Sequence, residues 1–251
     1  MASHPDTYPS SPFRSMPFFL SVFVLFWLLG SMVLFQMGYQ ESFLFLNAFR
    51  SSIADSWFPH LTHLGDGVFL TGVFGLFILP KRKALFVSLI LVLVLVSIAI
   101  SLSKSYLFST WNRPLGVFPN ESDFYYVSLD RLTRRSFPSG HSAAAAAMFT
   151  VFAYAWEQRR AGWGILLACI ALTIAYTRLY IGVHFWGDIL LGTFLGVAIA
   201  LGVLEFAYPR LKVYFDSRST SSQRRWQVGL YIFIAVAFLG NLFRLATTYY
   251  L

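Results

Sequence analysis

Residues Ala84 to Ser103 read ALFVSLILVLVLVSIAISLS, an uncharged run opened by Lys81-Arg82-Lys83 and closed by Lys104. A helix needs about 17–25 predominantly apolar residues to cross a bilayer, where every backbone polar group must be satisfied within the segment itself. This stretch meets that length, and its reading decides the fold class: an all-α, polytopic membrane bundle. Working outward, comparable runs occur at Met16–Gln36, Gly67–Leu79, Ser139–Trp156, Gly162–Thr177, Gly187–Ala207 and Trp226–Leu245. We therefore expect seven spans. The first has an apolar core too long for the h-region of a signal peptide and is expected to be retained. Between the first two, Glu41–Phe58 spaces Phe43, Leu44, Leu46, Phe49, Ile53 and Trp57 among polar residues, which predicts one helix lying in the interface.

Composition points the same way. The 251-residue chain is 57% hydrophobic and 12% charged, against about 45–50% and about 25% in a soluble domain. So little polar surface excludes a soluble globule, and so much apolar surface excludes a disordered chain. The single cysteine, Cys169, excludes a disulfide framework and any cysteine-based metal site; within its apolar run it reads as small apolar filler.

The net charge of +8 is explained by where the cations sit. Arg14, Lys81, Arg82, Lys83, Arg159, Arg160, Arg210, Lys212, Arg218, Arg224 and Arg225 all fall on one side of the expected spans, as anchors that keep cytoplasmic loops inside. No nucleic-acid partner is needed to account for them. The organisation this gives is a cytoplasmic tail at 1–15, a membrane core at 16–208, a basic cytoplasmic loop at 209–225 and a further membrane helix at 226–251. The opposite loops nevertheless carry Lys104, Arg113, Arg131, Arg134, Arg135 and Arg178, against the topological bias. Those charges need another reason.

Three clusters supply it, each at the outer end of a span. Lys104 ends the third span, with Arg113-Pro114 beyond it; Pro138-Ser139-Gly140-His141 opens the fourth; Arg178, His184 and Asp188 run from the fifth into the sixth. An even number of crossings returns the chain to one face, so the three converge. Lys104, Arg113 and Arg178 suit phosphate oxygens. Ser139-Gly140 stand at a helix start, where free N–H groups and the dipole favour anions. His184 and Asp188, at i and i+4, share a helical face. The carboxylate there can fix the imidazole tautomer and leave the other nitrogen free to attack. His141 could supply a proton to a leaving group. With no carboxylate cluster for magnesium, no metal or cofactor is expected, and the cations neutralise the transition state. Taken singly, each cluster also reads as an interfacial anchor, a capped helix start or a polar network; their order and common face favour phosphoryl transfer through a phosphohistidine. His63 and Asp66 are expected to be helix-end packing, Arg131, Arg134 and Arg135 a solvated loop face, and Glu205 and Arg244 snorkelling side chains.

These residues resemble the type 2 phosphatidic acid phosphatases, membrane lipid phosphatases related to the vanadium haloperoxidases. Pro138-Ser139-Gly140-His141 matches the second family motif in full. Arg178, His184 and Asp188 match the third at its spacing, with Thr177 where serine is usual. The first motif is looser: eight residues separate Lys104 from Arg113, where the family has six. The resemblance implies that His184 is the nucleophile, Asp188 its orienting carboxylate and His141 the general acid that later activates water. It implies that Lys104, Arg113, Ser139, Gly140 and Arg178 bind phosphate, that no metal is required, and that a six-helix core carries the site on the outer, usually periplasmic, face of a bacterial inner membrane. The seventh span departs from that core. The implied substrate is a lipid phosphomonoester or pyrophosphate, such as phosphatidic acid, phosphatidylglycerol phosphate, polyprenyl pyrophosphate or a lipid A phosphate. The alternatives are a lipid-to-lipid phosphotransferase and a non-catalytic binder or transporter of anionic lipids.

Overall fold

The computed structural model describes residues 11–67, 71–72, 82–118, 120–127, 131–157 and 160–250. The principal helices among them are α1 (Pro17–Met37), α2 (Tyr39–Asn47), α3 (Ser52–Leu61), α4 (Lys83–Leu102), α5 (Gly140–Trp156), α6 (Ala161–Tyr180), α7 (Trp186–Gly202), α8 (Tyr208–Asp216) and α9 (Thr220–Tyr250). The described residues form no strand, only an isolated bridge between Asn112 and Arg134. Among the described residues, four helical stretches are long and apolar enough to cross a membrane: Pro17–Met37, Lys83–Leu107, Ala161–Tyr180 and Trp186–Asp216. The expected seventh span lies within α9, and most of the expected second span, Gly67–Leu79, lies outside the described residues.

A helix that is apolar on all sides belongs in the middle of a bundle. α5 is that helix: Ala143 and the residues from Ala145 to Ala155 are all buried. Its alanines let the neighbours approach closely, and α4, α6 and α7 surround it. At Gly196 and Gly192 of α7 a Cβ would stand 2.2 Å from the Ala143 carbonyl oxygen and 2.5 Å from the Ser139 carbonyl oxygen. Small residues at a membrane-helix contact permit such backbone proximity. Here it holds the start of α5 against α7.

The bundle has two chemically distinct ends. At one, the Arg82 guanidinium donates to the Ala155 carbonyl at 3.2 Å, the Glu157 carboxylate accepts from the N–H groups of Phe18 and Phe19 at 2.7 and 3.1 Å, and Ser11 donates to Glu205 at 2.9 Å. These bonds gather the starts of α1 and α4 with the ends of α5 and α7. At the other end lie the C-termini of α4 and α6 and the N-termini of α5 and α7, which carry the candidate site.

Several expectations are corrected. Glu41–Phe58 is two helices, not one, because Ser51 caps α3 by accepting from the Ala54 N–H at 3.1 Å. α2 is also more than interfacial, since Phe43 and Asn47 are buried while Phe45, Phe49, Ile53 and Trp57 stay exposed. Cys169 is exposed on the outer side of α6, so it fills no core space. Glu205 is engaged by Ser11. The expected basic loop is helical through Asp216, because Tyr208 and Phe215 turn inward and give that stretch a buried face.

Candidate active site

Local folding brings Arg178, His184 and Asp188 together. α6 ends at Tyr180, and Gly182 takes a φ of +82°, which favours a residue without a side chain and turns the chain back. The Arg178 carbonyl then accepts from the N–H groups of both Val183 and His184, at 3.1 and 3.2 Å. That places the imidazole beside the last turn of α6. Asp188 is the third residue of α7 and reaches back to accept from the Phe185 N–H at 3.1 Å, half of a capping box. Its Oδ2 stands 2.8 Å from His184 Nδ1. A carboxylate at that position fixes the tautomer with the proton on Nδ1 and leaves Nε2 as the ring's lone-pair nitrogen.

Asp188 is held more firmly than the sequence foretold. It also accepts from the hydroxyls of Ser136 and Tyr39, so both oxygens are committed. Ser136 Oγ lies 3.4 Å from His184 Nδ1 as well. Burial, and then the Asp188 carboxylate, push the Tyr39 hydroxyl well above its ordinary pKa, so it remains a neutral donor. The Asp188 carbonyl accepts from the Ser139 N–H at 3.0 Å, which ties the second motif to the third. Ser139 Oγ pairs with Ser142 Oγ at 2.8 Å and caps the helix. Ser139 is thus occupied in joining elements, and the amides of Gly140 and His141 occupy the first turn of α5, where no intrahelical carbonyl is in reach.

The cations close around the free side of the imidazole. Arg113 donates through Nε to the Arg134 carbonyl at 3.0 Å and through one terminal nitrogen to the Val183 carbonyl at 3.1 Å; that same nitrogen stands 3.3 Å from His184 Nε2. Arg178 donates to Thr62 Oγ1 at 2.7 Å. Lys104 sits in a wide helical turn at Ser103–Leu107 that continues α4; such turns insert an extra residue, often near functional sites. Despite its eight-residue separation from Arg113, its charge reaches both His184 and His141. Burial holds the His184 imidazolium well below the ordinary histidine range, and Arg113, Lys104, Arg178 and His141 add to the shift in that order.

All eight expected site residues therefore meet at one end of the bundle. Arg131, Arg134 and Arg135 stay on an exposed loop, though the Arg134 backbone braces Arg113. His63 and Asp66 come closer than expected. His63 acts electrostatically on His141, Gly65 packs against its ring, and Asp66 lines a cavity of about 460 Å³ that reaches His141. Sequence reasoning missed Tyr39, Thr62 and Ser136. Ser136 stands only two residues before the second motif and was the nearest to being found. Among the described residues, no group of three or more His, Cys, Asp or Glu side chains could hold a metal ion.

The PAP2 superfamily model matches residues 83–212, just over half of the chain and all three clusters. Among solved structures, LpxE of Aquifex aeolicus superposes with a TM-score of 0.59 at 28% identity, covering 67% of this chain and 95% of its own. A transmembrane PAP2-type phosphatidylglycerolphosphate phosphatase from Bacillus subtilis superposes with a TM-score of 0.50 at 22% identity, covering 84% of this chain and 98% of its own; it shares the fold. No curated protein sequence matches the chain. The matched region, the helical membrane architecture and the convergent site agree: this chain belongs to the PAP2 superfamily.

Proposed function

We propose that the protein is a membrane lipid phosphatase that hydrolyses a lipid phosphomonoester or pyrophosphate, at the outer leaflet, through a phosphohistidine on His184. The reading is carried by the His184 imidazole, whose Nδ1 is held by Asp188 and whose Nε2 faces the Arg113 guanidinium. A structural histidine needs one such partner, whereas a nucleophile needs an oriented ring and a cationic surround for the group it attacks. In the first step the Nε2 lone pair forms a bond to phosphorus. The bond from phosphorus to the lipid oxygen breaks, and His141 gives that oxygen its proton. In the second step His141 takes a proton from water, the water oxygen bonds to phosphorus, and the N–P bond breaks to release inorganic phosphate and neutral His184. Lys104, Arg113, Arg178 and the first-turn amides of Gly140 and His141 offset the charge on the equatorial oxygens, and Ser139 holds that turn in place. No metal enters either step.

The candidate substrates are phosphatidic acid, phosphatidylglycerol phosphate, a polyprenyl pyrophosphate and a lipid A phosphate. Phosphate release from this panel by protein in detergent tests the reading, with His184→Ala as the blank. We expect release from at least one substrate, unaffected by EDTA, and none above background from a His184→Ala protein of unchanged helicity and elution volume. Full activity in that variant would remove His184 as the nucleophile, and a magnesium-restored loss in EDTA would remove the metal-free site.

A further inference from the structure

We propose that α9, which lies outside the matched residues 83–212, walls a groove that holds an acyl chain of the lipid substrate and so limits which tails reach the site. The inference rests on the lipid phosphatase reading and deepens it. The cavity of about 460 Å³ starts at Asp66, Gly140 and His141 and continues down α4. Along α4 it follows Ile90, Leu93, Ser97 and Ile100, whose spacing of three and four residues places them on one helical stripe. From Ile100 to Ile90 the stripe is about 15 Å long. Phe233 and Ile234 of α9 form the facing wall. Ile234 is buried in the main core, while its neighbour Ile232 is exposed. One end of this space is the polar candidate site, and the remainder is mostly apolar and runs along α4 toward Ile90. Its volume is that of a small-ligand pocket. An amphipathic lipid with its phosphate at His141 and His184 has its chain where this groove lies.

A lipid tail leaves surroundings as apolar as the groove it enters, so transfer from water supplies no driving force. Discrimination then comes from shape, and the side chain facing the stripe decides the width.

Two measurements test the proposal. The first compares kcat/KM for dioleoyl and dihexanoyl phosphatidic acid in Ser97→Trp, which fills the middle of the groove, and in Ile98→Trp, which faces outward on the same helix. Ser97→Trp should lower the dioleoyl value by at least about tenfold, within the range by which pockets discriminate apolar groups, and leave the dihexanoyl value within about twofold. Ile98→Trp should change neither. Equal loss on both substrates, or loss on neither, would overturn the groove.

The second measurement does not depend on turnover. Full-length wild-type protein in nanodiscs is photolabelled with a diazirine-tailed phosphatidic acid and, separately, with the matching phosphatidylcholine. We expect excess labelling by phosphatidic acid on the Ile90–Ile100 stripe and on Phe233–Ile234. Labelling equal to that of phosphatidylcholine, or excess that spares α9, would overturn the inference even if phosphate release is normal. If no lipid phosphate is hydrolysed but the excess labelling is found, the phosphatase reading fails and the groove stands.

Discussion

The two ends of the bundle handle charge in opposite ways. At the site end Arg113 and Arg178 are each only 8% exposed, and their guanidiniums are placed by the Val183 and Arg134 carbonyls and by the Thr62 hydroxyl. At the far end Arg14, Arg82, Arg160, Arg210, Arg218, Arg224 and Arg225 are exposed, and the buried charge is an anion, Glu157, at 4% exposure. Glu157 caps the start of α1, where a carboxylate meets unpaired N–H groups and the positive end of the helix dipole. Arg178 sits in the last turn of α6, where the dipole has the opposite sign. Residue type alone does not distinguish an anchoring arginine from one that can hold an anion. Burial of the guanidinium does.

The comparison can be broken by exchanging the effects of its two sides. Arg178→Ala should cut kcat by about 10²–10³, the scale of losing one preorganised donor to developing charge, while Arg210→Ala stays within about twofold. Similar losses in both would mean that net charge, not placement, governs turnover. Glu157→Ala tests the other side. It leaves two N–H groups of α1 without their acceptor, so it should destabilise the fold by about 1–3 kcal/mol, read as an earlier thermal transition in detergent. Activity per folded molecule should remain that of the wild type. A catalytic defect without a stability defect would move Glu157 from scaffold to site.

Four of the expected spans and the meeting of the three clusters were legible because each has a local signature: an apolar run of bilayer length, or reactive residues at fixed spacing. The break between α2 and α3 was missed, although Ser51, a helix-capping residue, stands directly before the 10-residue helix Ser52–Leu61. The supports of the site were not legible. Tyr39 meets Asp188 from 149 residues away, and Thr62 meets Arg178 from 116 residues away. A lone hydroxyl in a polar stretch has no period and no required neighbour, so only the packing of α2 and of the Thr62–Gly65 turn against α6 and α7 assigns it a role. The burial of Cys169 was misjudged for a related reason. In a membrane bundle an apolar run has a core face and a lipid face that are equally hydrophobic, and composition does not separate them.

The smallest expected effect lies in the pH profile. His184 is held below the ordinary histidine range by burial first and the Arg113 charge second. It should therefore stay neutral, and competent to attack, as pH falls through about 6.5, the value of a free imidazole. The acid limb of kcat/KM that reports this group should lie below that value. In Arg113→Gln one charge opposing protonation is gone, so the limb should move upward; in Arg210→Gln it should not move. The substrate phosphate also titrates near pH 6, but it does so identically in all three proteins and cancels in the difference. Stability has the same sign. Below about 6.5 the unfolded chain binds a proton that folded His184 refuses, so the fold should weaken as pH drops from there toward the folded pKa and be insensitive to this group above it. A limb displaced equally by both arginine substitutions would show that His184 feels the charge of the whole protein, and the two ends would no longer differ in the respect that matters.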